Sequence, residues 1–138
     1  MARATWGRQS ARTLNWNQVK YFGNGDKAEK FGDLVIMAVP FGALKSIASQ
    51  YKDELKGKSV IDISNPLNFD TWDELVVPAV SSAAQLLQSW LPESKVVKGF
   101  NTTIGATLQS GKIGDLPTTV LLVSDHQKAL AGSPFAGI

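Results

Sequence analysis

Gly32-Asp33-Leu34-Val35-Ile36-Met37-Ala38-Val39-Pro40-Phe41 holds six apolar residues in succession, Leu34 to Val39, between Gly-Asp and Pro. The run is too short to span a bilayer and has no helical stripe. An unbroken apolar run between turn residues reads as a strand buried on both faces, as in a parallel sheet. Pro40 ends it, because proline has no N–H for the ladder. An amphipathic pattern begins at once, at Phe41. A buried strand followed by a tight turn and a helix start is where α/β proteins bind ligands, at the strand's carboxyl end.

The chain downstream repeats the theme. Phe41, Leu44, Ile47, Ala48, Tyr51 and Leu55 form one face of a helix predicted over Phe41–Leu55, with Gly57 as its C′ residue. A second strand is predicted over Ser59–Ser64, ended by Asn65-Pro66. Ser82 and Gln85 have capping-box spacing and start a helix whose stripe is Ala83, Leu86, Leu87, Trp90 and Leu91. A third strand covers Lys95–Asn101, and a helix follows over Thr102–Ser110 with Ile104 and Leu108 turned inward. A fourth strand covers Thr118–Val123, and a short helix starts at Asp125. Upstream, Trp6–Arg12 reads as a turn and weak helix, and Asp26–Phe31 as one helical turn. Alternating strands and helices with right-handed crossovers predict an α/β, three-layer domain around a mainly parallel sheet, occupying residues 1–138 as one unit.

Composition narrows the chemistry. The 138 residues are enough for one core, and 43% hydrophobic with 19% charged residues is ordinary for a soluble domain. A net charge of +2, with no basic cluster, argues against nucleic acid. Cysteine is absent and His126 is the single histidine, which excludes thiolate zinc sites, Cys nucleophiles and His-based metal clusters. The lack of cysteine fits a reducing, cytoplasmic location, and no apolar stretch reaches ~18 residues. Arg3, Arg8 and Arg12 precede no apolar segment, so the start is not a secretory signal, although its composition imitates a transit peptide.

Positional signals converge at strand carboxyl ends. Ala38-Val39-Pro40, Ser64-Asn65-Pro66 and Phe100-Asn101-Thr102 would line one rim of a parallel sheet. The helix beginning at Phe41 would aim its first N–H groups at that rim, which suits a phosphate. Two readings stand side by side: a ligand rim, or ordinary turns and caps. His126 is read as a surface residue and Asp62 as either bonding the Asn65 loop or facing outward. Trp72 and Trp90 are read as packing residues, and Asn68–Pro78 as either a lid or a plain connection.

These segments carry a resemblance. Gly32–Pro40, Val60-Ile61-Asp62-Ile63-Ser64-Asn65-Pro66-Leu67, and Val96-Val97-Lys98-Gly99-Phe100-Asn101-Thr102 after Leu91-Pro92 resemble the NADP(H)-binding family of deazaflavin-dependent NADP oxidoreductases and related dinucleotide-binding reductases, over roughly residues 26–124. The resemblance implies a Rossmann domain, NADP(H) as cofactor, and a flavin or deazaflavin as second substrate. It places Ala38, Val39, Pro40 and Phe41 along the adenosine ribose and pyrophosphate, and Asn65 and Pro66 near the nicotinamide ribose. Asn101 would flank the nicotinamide, with Phe100 and Thr102 toward the second substrate. Hydride transfer between nicotinamide and acceptor needs no protein acid or base, so the lack of a catalytic constellation is expected.

The departures are equally specific. Such domains open with a strand, a G-x-G-x-x-G turn and a helix, and this sequence has no G-x-G-x-x-G. Gly23-Asn24-Gly25 has the first spacing, but Ala28 stands where the third glycine would be. Arg8 is the candidate remnant of a turn that reads the 2′-phosphate, with a solvated surface arginine as the other reading. The expectation is therefore a Rossmann domain truncated at its N-terminal βα unit. Its first strand would carry an unpaired edge, covered by homo-oligomerisation or by Thr13–Phe22 as a replacement strand. The competing function is a non-catalytic dinucleotide-binding remnant or a self-assembling interaction module.

Overall fold

The computed structural model describes residues 32–103 and 105–131. In chain order the elements are β1 (Leu34–Met37), α1 (Phe41–Gln50), β2 (Ser59–Asp62), α2 (Ala83–Trp90), β3 (Lys95–Gly99), α3 (Gly105–Ser110), β4 (Lys112–Ile113), β5 (Leu116–Pro117), β6 (Leu122–Val123) and α4 (Gln127–Ala131). The main sheet runs β1-β2-β3-β6. β1 pairs parallel with β2, Leu34 opposite Ser59 and Met37 opposite Asp62, and β2 pairs parallel with β3, Ser59 opposite Lys95 and Asp62 opposite Lys98.

Strand alternation sorts the apolar residues onto two faces. Met37, Val60 and Val96 face α1 and α2, where they meet buried Leu44, Ala48, Leu55, Leu87 and Leu91. Phe41 at the start of α1 meets Trp90 at the end of α2, ring centroids 6.5 Å apart. On the other face Ile61 and Val97 pack with Ala129 of α4, joined by Leu34, Ile63, Phe100 and Leu122. The α/β class, the mainly parallel sheet and the covering of both faces follow the sequence reading.

Several expectations are corrected. The fourth strand is not a fourth parallel one: only Leu122 and Val123 pair, antiparallel, with Gly99 and Lys98. β1 is not buried on both faces, for Ile36 is 43% exposed. α4 is five residues long and packs chiefly on β3. The first helix stops at Gln50, and turns carry the chain to Gly57 (φ +74°), whose N–H donates to the Glu93 carbonyl at 2.8 Å. Leu55 is nonetheless buried, as its place in the apolar stripe required. Thr102–Ser110 is helical only from Gly105, and Leu108 is half-buried with no fully buried residue in that helix. Ile104 lies outside the described residues, as do Arg8, Asp26–Phe31, Gly23-Asn24-Gly25 and the Thr13–Phe22 segment.

The β4–β5 hairpin was not expected. Gly114 (φ +61°) and Asp115 make its two-residue turn, a conformation that glycine adopts without a Cβ penalty. The hairpin is tied to α3 by the Thr118 hydroxyl, which donates to the Thr107 carbonyl at 2.8 Å.

Candidate functional site

Because β1, β2 and β3 are parallel and in register, their carboxyl ends come out side by side. The structure therefore brings Ala38-Val39-Pro40, Ser64-Asn65-Pro66 and Phe100-Asn101-Thr102 to one rim. Ala38, Pro40, Asn65, and Asn101 are exposed, while Val39, Phe41, Pro66, Phe100 and Thr103 are half-buried. Thr102, between Asn101 and Thr103, is exposed. Phe100 has φ +64°, a left-handed conformation costly for an aromatic residue, at the point where the chain leaves β3.

α1 starts at this rim with Pro40 as N-cap. Proline offers no capping side chain, and the first turn contains no acidic residue. The N–H groups of Phe41 and Gly42 thus meet no side-chain cap, and the helix dipole adds partial positive charge, although Asp70 lines the same cleft. This local chemistry fits a phosphate. Beside it, an open cleft of about 580 Å³ is lined by Pro40, Phe41, Gly42, Leu67, Asn68, Phe69, Asp70 and Val76. Exposed amides at Asn65 and Asn101, an uncapped helix start and an apolar wall together fit a dinucleotide, whose parts are anionic, polar and aromatic in turn.

The far wall of the cleft is a hydrogen-bonded loop. Val76 N–H donates to the Pro66 carbonyl and Asn68 N–H to the Glu74 carbonyl, at 2.9 and 2.8 Å. A bridge between Leu67 and Leu75 closes it. Phe69 and Trp72 meet edge to face at 5.2 Å, but Trp72 is 68% exposed with φ +63°, so it is not the packing residue expected. Trp90, against Phe41, is.

Beneath the rim lies a pair that the sequence reading captures only in part. Asp62 is fully buried, and its Oδ2 accepts from Lys98 Nζ at 3.0 Å, a Lys98 side chain only 14% exposed. Asp62 Oδ1 accepts from the Ser64 N–H at 2.8 Å, and Lys98 Nζ also donates to the Ser64 carbonyl. Asp62 thus bonds the turn leading to Asn65 and does not face outward. The Ser64 hydroxyl is buried without a hydrogen-bond partner.

His126 is not a surface residue. It is half-buried, and its Nε2 is 3.0 Å from Gln88 Oε1. That oxygen also accepts from the Val96 N–H at 3.1 Å, so Nε2 must be the donor to it. A cleft of about 460 Å³ beside α2 and β6, lined by Ser82, Gln85, Gln88, Val123, Ser124 and Asp125, contains none of the expected site residues. Among the described residues no group of three or more His, Asp or Glu is placed to hold a metal, and no helix is long and apolar enough to cross a membrane.

The fold is that of a Rossmann-like α/β domain with a mainly parallel sheet. The sequence model of a family described as "NADP oxidoreductase coenzyme F420-dependent" matches residues 7–66. The F420-dependent NADP reductase of Methanocaldococcus jannaschii is 40% identical over 85 residues, which cover 59% of this chain and 38% of that protein. A putative F420-dependent NADP reductase from Arthrobacter superposes with a TM-score of 0.63 at 25% identity, over 75% of this chain and 48% of that one. A hypothetical protein from Sinorhizobium meliloti gives 0.64 at 28% identity, over 73% and 49%. A pyrroline-5-carboxylate reductase from Coxiella burnetii, 17% identical with a TM-score of 0.53, shares the fold alone. The resemblance to the deazaflavin-dependent NADP oxidoreductases, read from the residues, is therefore borne out. The chain spans 38% of the length of the curated relative and about half that of the first two solved structures.

Proposed function

We propose that this chain forms part of an NADP(H)-dependent reductase, its rim holding the dinucleotide while hydride passes between nicotinamide and a flavin or deazaflavin acceptor. The observation that supports this most is the coincidence of two independent features. The rim is open at Ala38, Pro40, Asn65 and Asn101, the last two bearing amides. The chain's similarity to F420-dependent NADP oxidoreductases includes the two strands and turns that supply Ala38, Pro40 and Asn65.

The protein's own contribution is binding, orientation and exclusion of water. The α1 start and the backbone of Ala38–Phe41 would receive the pyrophosphate and adenosine ribose. Asn65 and Pro66 would set the nicotinamide ribose, with Asn101 beside the ring. Phe100 and Thr102 would border the acceptor. The nicotinamide, when bound, supplies the hydride chemistry. Arg8, outside the described residues, is proposed to read the 2′-phosphate.

A second reading keeps the fold without turnover: a dinucleotide-binding remnant, or a module that self-assembles through β1. The observation behind it is that β1 pairs with β2 alone among the described residues. Calorimetric titration with NADPH and NADH separates the readings. Micromolar NADPH binding, weaker NADH binding and a further loss in Arg8→Ala support the reductase reading. No binding at millimolar cofactor overturns it, and a monodisperse monomer at micromolar concentration overturns self-assembly.

A further inference from the structure

The β2–β3 ladder ends at Asp62 and Lys98, which face each other in register as the last pair. Beyond that point the strand pairing stops, and Ser64–Pro66 and Phe100–Thr102 leave the sheet as separate exits. Yet the Ser64 backbone is buried and must be satisfied. Its N–H goes to Asp62 Oδ1, within the same strand exit. Its carbonyl goes to Lys98 Nζ, which belongs to the neighbouring strand.

We propose that Asp62 and Lys98 are positioning residues that lock the exits of β2 and β3 together, so that Asn65 and Asn101 present to one ligand as a fixed pair. The inference rests on the dinucleotide reading of the rim. The charges matter for a stated reason. An apolar pair of equal volume would fill the space, but it would leave the Ser64 N–H and carbonyl without these partners. Lys98 reaches Ser64 because Asp62 holds its ammonium at 3.0 Å from a fully buried carboxylate. The lock thus depends on both members, and it acts on the residue immediately before Asn65. Phe100, in its left-handed conformation, lies two residues after Lys98 and one before Asn101. A shift of Lys98 is therefore transmitted to both exits.

The test uses the full chain and the double variant D62N/K98M. The amide that replaces the Asp62 carboxylate keeps an oxygen for the Ser64 N–H and removes the buried charge, so only the cross-strand link is cut. The first readout is amide hydrogen exchange, which needs no ligand. Exchange at the Ser64 and Thr103 amides, which are hydrogen-bonded at the two exits at 2.8 and 3.1 Å, is expected to quicken at least tenfold, with Val60 and Val97 unchanged, in a variant of wild-type far-ultraviolet circular dichroism. The second readout is NADPH affinity, expected to weaken about tenfold, whereas a purely structural pair would leave it unchanged in the folded variant. Unchanged exchange at the rim, or loosening with undiminished NADPH affinity, overturns the proposal. A wild-type chain that does not bind NADPH overturns the dinucleotide reading, and the exchange experiment still decides whether the pair locks the two exits. If D62N/K98M fails to fold, Lys98→Arg takes its place; it retains the charge pair but alters the reach to Ser64, and unaltered exchange and affinity would then count against the lock.

Discussion

Replacing Lys98 by Met should be the most damaging single change near the rim. Asp62 is fully buried, and Lys98 supplies its only opposite charge among the described residues, at 3.0 Å. The variant leaves the buried Asp62 carboxyl with the Ser64 N–H as its partner among the described residues, and strips the Ser64 carbonyl of its donor. Breaking a buried pair from one side costs about 3–5 kcal/mol, a large part of the roughly 5–15 kcal/mol that holds an ordinary domain together. Removing the charge as well, in D62N/K98M, leaves two neutral groups short of partners and should reduce the loss to about 1–3 kcal/mol. Urea denaturation at pH 7, in 0.1 M and 1 M salt, measures both. The loss in Lys98→Met should persist at high salt, because the pair is shielded from the solvent that screens surface charges. A loss below about 1 kcal/mol in Lys98→Met, or a double variant less stable than the single one, would refute the reasoning.

Two further outcomes follow from burial. Leu87→Ala removes three carbons from a fully buried site between α1 and the sheet. At about 0.8 kcal/mol per methylene plus the cavity term, the expected loss is roughly 2–5 kcal/mol, and a urea midpoint near wild type would contradict the packing described. Glu93→Gln tests the opposite case, since the Lys56–Glu93 pair at 2.6 Å has both side chains more than half exposed, 60% and 57%. Neutral-pH stability should be unchanged, because exposed pairs are weak. The hydrogen bond to Glu93, and then the charge of that carboxylate, raise the Lys56 ammonium above its ordinary value of 10.5. Whatever the pair adds is therefore present at neutral pH and is lost as alkaline pH passes that raised value. A marked neutral-pH destabilisation in Glu93→Gln would overturn this.

The sheet and the helices on it were legible because burial imposes period and run length. Leu34–Met37, Val60–Ile61 and Val96–Val97 are short apolar runs, and each lies in a strand. The capping box of Ser82 and Gln85 is present as spelled, the Gln85 N–H reaching Ser82 Oγ at 3.2 Å. The rim was legible for the same reason, since parallel strands in register must share a carboxyl edge.

What was not legible depended on partners far apart in sequence. The direction of the last strand shows only in its pairing, Leu122 and Val123 lying antiparallel to Gly99 and Lys98, and the β4–β5 hairpin that precedes it was missed. The signal was there in Ile113-Gly114-Asp115-Leu116, two apolar residues around a two-residue glycine turn. His126 gave no local hint of its bond to Gln88, which lies 38 residues away. Asp62 and Lys98 each interrupt an apolar strand with a charge, and opposite signs at equivalent positions of adjacent parallel strands were the available clue to the pair.

The most direct test of the central claim is an amide NMR titration of the chain with NADPH. The account predicts shift changes concentrated at Ala38, Val39, Phe41, Gly42, Asn65 and Asn101, saturating in the micromolar range. No changes at millimolar NADPH, or changes centred on Gln85, Gln88 and Ser124 beside α2, would contradict it.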